Sequence, residues 1–123
     1  MTSSNRAQRV SVHIQKALTD ILRKNIKDPR LEMVTVSKVN LTNDLRIARI
    51  YFTLIGSRKS IEDALTGFNS ARGYLKRTLA RELKLRYMPD IEFYYDDSFD
   101  HALHINELLK SIQKDDETDT PSN

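Results

Sequence analysis

Apolar residues near the start of the chain recur at helical spacing. Val10, Ile14, Ala17, Leu18 and Ile21 fall on the i, i+3/i+4, i+7 steps of one face, which predicts a helix over residues 5–26. Ser3, Ser4 or Asn5 can cap its start. Asp28-Pro29 ends it, because the residue before proline is pushed out of the α region. The period then changes to two. Residues 33–41 predict a strand whose apolar phase runs 34, 36 and then 39, 41, and that slip implies a bulge or twist near Ser37-Lys38. Thr42-Asn43-Asp44 has turn chemistry, and Ile50, Phe52 and Leu54 alternate in a second strand, so the two should form a hairpin.

After Gly56-Ser57-Arg58-Lys59 the helical period returns, with Ser60 as the expected cap. Gly67 and Gly73 are expected to interrupt what would otherwise be one helix from 60 to 86. Ile91–Tyr95 alternates like a half-buried strand, and Asp97-Ser98 can cap a last helix carrying Leu103, Leu108, Leu109 and Ile112. From Lys114 onward no apolar residue remains, so residues 114–123 are expected to form a disordered acidic tail on a single domain of residues 1–113. The sum is an α+β fold, three strands covered by helices on one side.

Charge changes this picture more than composition does. Residues 1–90 hold 18 Lys and Arg against 8 Asp and Glu, a balance of +10, and residues 91–123 hold 2 against 9, a balance of −7. A basic body raises the odds of a polyanionic partner; scattered surface charge kept for solubility is the plain alternative. The cations cluster. Residues 71–86 carry Arg72, Lys76, Arg77, Arg81, Lys84 and Arg86 against one acid, Glu82, a density of unpaired charge that suggests a phosphate-tracking surface. Arg9, Lys16, Arg23 and Lys27 form a second row on the first helix, which reads more simply as a solvated face. Gly73 beside Ala71-Arg72 permits a bend and close backbone approach next to Arg72 and Lys76.

Six short stretches then fall in a telling order. They are Arg6-Ala-Gln-Arg9-Val10, Ile26-Lys-Asp-Pro-Arg-Leu31, Asn43-Asp-Leu45 with Ala48-Arg-Ile-Tyr51, Ala71-Arg-Gly73-Tyr74-Leu75, Leu85-Arg-Tyr-Met-Pro-Asp-Ile91 and Phe93-Tyr-Tyr-Asp96-Asp-Ser98. In that order and spacing the chain resembles bacterial ribosome-binding factor A from about Arg6 to about Ile112. The resemblance implies a type II KH-like domain, α-β-β-α-kink-α-β, with an Ala-x-Gly kink at Ala71 and Gly73, and a C-terminal helix follows. No GxxG exists among the three glycines, so the usual KH clamp on single-stranded backbone is not expected. The resemblance further implies binding to free or immature 30S subunits, contact with 16S rRNA and neighbouring ribosomal proteins, and help in late maturation. It extends to 16S rRNA 5′-end processing and growth in the cold. A binder of this kind must then leave, so release is expected to be driven by a GTPase or by subunit completion. The resemblance carries basic site positions onto Arg6, Arg9, Arg30, Arg46, Lys76, Lys84 and Arg86. Arg72, Arg77 and Arg81 join them on charge density alone. Lys76 departs from the Arg that the resemblance suggests, and a point charge loses bidentate geometry.

An enzyme is not expected. There is no phosphate-cradling glycine loop, and with no Cys there is no thiolate nucleophile or sulfur-ligated metal. His101 and His104 sit i, i+3 near Asp97, Asp100 and Glu107, which is more simply an acidic solvated face than a metal site. Asp96-Asp97 lacks a third carboxylate for nuclease chemistry. No cofactor and no metal are expected. The chain is expected to be cytoplasmic, since no segment approaches 18 apolar residues and the start lacks an apolar leader, and it is expected to be a monomer. Two other classes stay open: a permanently bound ribosomal protein, and a protein-interaction module using the acidic last helix and tail.

Overall fold

The computed structural model describes residues 5–119. Helix α1 spans Asn5–Lys24 and buries Ala7, Ile14, Ala17, Leu18 and Ile21, the expected stripe with Val10 at its edge. The cap candidates Ser3 and Ser4 lie outside the described residues. A 3-10 turn at Pro29–Leu31, capped by Asp28, follows and buries Leu31. Strands β1 (Thr35–Leu41) and β2 (Ile47–Thr53) pair antiparallel as the expected hairpin, with the register shift between Val36 and Lys38. Helix α2 spans Arg58–Leu83, and β3 (Asp90–Tyr95) pairs parallel to β2. The sheet order is β1-β2-β3. Helix, hairpin, long helix and parallel third strand realise the α+β, KH-like expectation.

One face of the sheet holds Val36, Val39, Leu41, Ala48, Ile50, Phe52, Ile91 and Phe93 against α1 and α2. Phe68 of α2 stacks on Phe93 with centroids 4.3 Å apart and tilts against Phe52 at 5.0 Å. Such pairs add about 0.5–1.5 kcal/mol beyond the area they bury. Ser11 ties helix to sheet: its buried hydroxyl donates to Ala7 O at 2.7 Å and accepts from the Leu41 N–H at 3.1 Å.

Three expectations need correcting. Helix α2 begins at Arg58 with Ser57 as its cap, not at Ser60, whose backbone N–H is the donor to the Ser57 hydroxyl. Its helical hydrogen-bonded run also continues through Gly67 and Ala71-Arg72-Gly73, so these glycines do not interrupt the helix as expected, and no glycine has a positive φ. Burial of Ala64 and Phe68 before the second glycine and of Leu75 and Leu79 after it outweighs the poor propensity of both. Gly67 is there because Leu31 approaches: an added Cβ would lie 3.2 Å from Leu31 Cγ and Cδ2. At Gly73 an added Cβ would meet only the Arg77 Nη1 at 3.2 Å, the end of a flexible side chain.

The last correction concerns the C-terminal end. Helix α3 runs Ser98–Asp119, past the boundary expected at 114, because no glycine or proline intervenes before Pro121. The rest of the expected tail, residues 120–123, lies outside the described residues. Helix α3 stands off the body, with Leu103, Ile105, Leu108, Leu109 and Ile112 all about half exposed. Its start is held by Asp96 rather than by the expected Asp97. The Asp96 carboxylate accepts from the Ser98 N–H at 3.0 Å and from the Ser37 hydroxyl at 2.7 Å. Hydrogen bonds from Ser98 and then Ser37 hold that carboxyl down at about 2.

Gly73→Ala should raise stability by about 0.5–1 kcal/mol, since it restricts the unfolded chain and meets only a side chain that can move aside. Gly67→Ala should lower it, because overpacking Leu31 costs about 1–3 kcal/mol and offsets the helix gain; denaturant unfolding of both variants checks the pair. The lowered Asp96 makes a contribution that is fully present above the unfolded value of 3.8 and is lost as pH falls through about 2. The stability difference between the unmodified chain and Asp96→Asn should therefore hold at neutral pH and shrink across that acid window.

Candidate nucleic-acid interface

Three chain segments meet at the end of the domain where α1 begins. In the β1–β2 turn, Asp44 accepts from the Thr42 hydroxyl at 2.6 Å and from the Arg46 N–H at 3.2 Å, and these bonds hold its carboxyl below the usual range. The turn closes with Leu45 in the left-handed region, φ 61, a conformation that costs a residue with a side chain roughly 1–2 kcal/mol. That geometry turns Leu45 toward the core and leaves Arg46 outside. At the other segment α2 stops on Lys84, also left-handed at φ 52, with the Lys84 and Leu85 N–H groups both donating to Ala80 O. The chain then turns outward through Arg86 and Tyr87 before Pro89 leads into β3.

Between these two turns and the first turns of α1 lies a groove of about 630 Å³. Val10, Leu41, Leu45, Leu85 and Pro89 line it with apolar surface, and Arg6, Arg46, Arg86 and Tyr87 supply its cations and its aromatic ring. Tyr87 is 79% exposed, and the Arg86 guanidinium sits 5.5 Å from its ring centroid. Arg46 reaches Asp44 only at 4.0 Å and stays open to solvent. Three arginines from three segments, an exposed ring and an apolar floor can bind a polyanion that also offers flat apolar surface. Arg9 is one turn along α1 from Arg6 and exposed.

The other expected site residues divide in two. Arg77, Arg81 and Lys84 are exposed along α2 and, among the described residues, have no acid within 4.0 Å. Their row runs down the last turns of α2 toward Arg86. Arg72 and Lys76 are different, and the expectation that they are unpaired is corrected. Both contact Asp90 Oδ1, at 2.8 and 3.2 Å, because β3 starts beside the middle of α2. Arg72 first, and Lys76 after it, pull the Asp90 carboxyl below its usual range. Arg30 is likewise forked onto Asp28, at 2.7 Å for Nη2 and 3.0 Å for Nε, in the cap of the 3-10 turn. Arg72 and Lys76 thus hold α2 to β3 first, and Arg30 closes its own turn.

At the expected kink, Ala71 is half-buried and Gly73 exposed. Tyr74 Oη accepts from Asn25 Nδ2 at 3.2 Å beside a shallow cleft of about 340 Å³ that Lys27 and Ala71 also line. The described residues hold no group of three or more His, Cys, Asp or Glu that could grip a metal ion. Asp96 is occupied as a structural acceptor, and His101 Nε2 pairs with Asp97 Oδ2 at 3.2 Å. Sequence reasoning gives Tyr87 no role of its own. An aromatic directly after a cation and ahead of Met88-Pro89 is the signal that could have found it.

A family model described as Ribosome-binding factor A matches residues 6–109. The Ribosome-binding factor A of Desulfosudis oleivorans is 43% identical over 122 residues, covering 98% of this chain and 95% of the relative. That of Desulfatibacillum aliphaticivorans is 40% identical over 121 residues, covering 98% of each. The crystal structure of ribosome-binding factor A from Thermus thermophilus superposes with a TM-score of 0.65 at 27% identity, over 72% of this chain and 94% of that one. A Thermus thermophilus homology model fitted into a cryo-electron microscopy map of a 30S complex superposes with a TM-score of 0.63 at 26% identity, over 74% and 96%.

The Asp90 clamp can be opened. Asp90→Asn should release Arg72 and Lys76, so that binding to a structured RNA strengthens and the slope of log K against log salt steepens by about 1–2. Titrations at several salt concentrations measure it, and an unchanged slope would mark both cations as structural only.

Proposed function

The chain belongs to the ribosome-binding factor A family, and on that premise we propose that it binds free and immature 30S subunits and assists their late maturation. This role includes 16S rRNA 5′-end processing and growth in the cold, where misfolded RNA rearranges slowly. The observation that carries the reading is the groove where Arg6, Arg46, Arg86 and Tyr87 converge, continued by the exposed cations Arg77, Arg81 and Lys84. The 30S complex of the Thermus thermophilus relative supports the same partner.

The mechanism is binding without bond-making. Phosphate contacts supply sequence-independent attraction and register. A non-hydrolysing binder shifts its partner only by differential affinity, so the protein holds the rRNA arrangement that it fits better. Neighbouring ribosomal proteins complete the contact, and a GTPase or completion of the subunit drives release. The protein acts in the cytoplasm as a monomer; no helix among the described residues is long and apolar enough to cross a membrane.

Sedimentation with subunits over a salt series tests this. The unmodified chain should travel with free small subunits at low salt and leave them as salt rises. Changing Arg77, Arg81 and Lys84 together to Ala should flatten the salt slope by about one for each phosphate no longer neutralised. Absence from small subunits at low salt would overturn the reading.

A further inference from the structure

Among the described residues no element covers the face of the sheet turned away from α1 and α2, and that face carries an ordered row of side chains. Lys38, Tyr51 and Tyr94 are register partners across β1, β2 and β3. The two tyrosine rings stack with centroids 5.5 Å apart and an interplanar angle of 28°, and the Lys38 ammonium lies 4.6 Å from the Tyr51 centroid. The next row is Asn40, Arg49 and Glu92. Arg49 Nε is 3.6 Å from Glu92 Oε1, which also accepts the Tyr94 hydroxyl at 2.7 Å.

The bulge is what assembles this row. Strict alternation from the buried Val36 would turn Lys38 inward. The extra residue at Ser37 leaves both Ser37 and Lys38 outside and returns Val39 to the core. Ser37 is pinned in that position, its hydroxyl donating to Asp96 at 2.7 Å and its carbonyl accepting from Gln15 at 3.2 Å. Bulges re-aim side chains in this way, often beside functional sites.

We propose that this open face is a second RNA-binding surface, on which an unpaired base stacks against Tyr94 while Lys38 and Arg49 meet the adjoining phosphates. The inference rests on the reading of the protein as an rRNA binder and adds a place and a substrate class to it: single-stranded nucleotides. Tyr51 is flanked on one side by Lys38 and on the other by Tyr94, so its ring is enclosed. Tyr94 lies on the edge strand, and among the described residues no further strand follows it, so its outer face is open; it is 41% exposed. Aromatic rings flanked by cations are the pairing that single-stranded nucleic acid uses, stacking on the ring and charge on the backbone. A protein helix would need aliphatic surface, and these rows offer Thr35, Asn40, Thr53, Glu92 and the two cations instead. A cross-strand stabilising ladder alone would account for the ring pair but not for the bulge that brings a lysine to it.

The test uses the full chain with an unstructured RNA of about ten nucleotides and a duplex of equal length. In the unmodified protein the Tyr94 ring-proton resonances should move on addition of the single strand and not of the duplex. Tyr94→Leu should weaken single-strand binding roughly tenfold or more with little change in duplex binding or salt slope. Tyr94→Phe should bind as the unmodified chain does. Unmoved Tyr94 resonances with single-strand binding intact, or a folded Tyr94→Leu that binds normally, would overturn the proposal. In either case Arg46→Ala with Arg86→Ala would still reduce the salt slope for duplex. If those groove variants also bind normally, the rRNA-binding reading itself fails.

Discussion

Everything in this molecule hangs on the fact that a sheet of three strands has two faces and only one of them is buried. The aromatic contact of Phe68 with Phe93 and Phe52 fixes which face that is. Because α2 must lie along β3 to make it, the chain crosses back and β3 runs parallel to β2. The crossover brings the end of α2 to the β1–β2 turn, and the groove exists because of that meeting. It also sets Asp90 beside Arg72 and Lys76.

Charge therefore has two uses. Arg72 and Lys76 are held by Asp90, which joins α2 to β3, and Arg30 is held by Asp28 within the cap of its own turn. Arg6, Arg9, Arg77, Arg81, Lys84 and Arg86 point outward, and Arg46 is held only loosely. The ion pairs contribute modestly to stability, since solvent screens them. Their larger effect is to narrow the surface offered to phosphate.

The elements were legible because their periods are clean. The stripe of α1 from Ile14 to Ile21, the slip at Ser37-Lys38 and the alternation of β2 each have a single folded solution. The unbroken α2 was not legible, because a propensity argument at Gly67 and Gly73 says nothing of the tertiary contacts on both sides. The standing of individual cations was hidden for a similar reason. Asp90 is 14 residues from Lys76 and 18 from Arg72, so only the crossover shows that they meet. The basic region was visible in the sequence; the groove and its Tyr87 needed three segments folded together.

That last point bears on how the site comes into being. Its lining is drawn from residues 6–10, 41–46 and 85–89, so segments far apart in the sequence must all be in place. The β1–β2 hairpin closes locally, but parallel pairing of β3 waits for the whole of α2 and for the loop-closure entropy of that long connection. A chain still being made thus carries the same arginines without the surface they form. The recognition surface therefore needs all three segments folded together, and a copy in which residues 85–89 are not in place would be a basic polypeptide with no groove to offer.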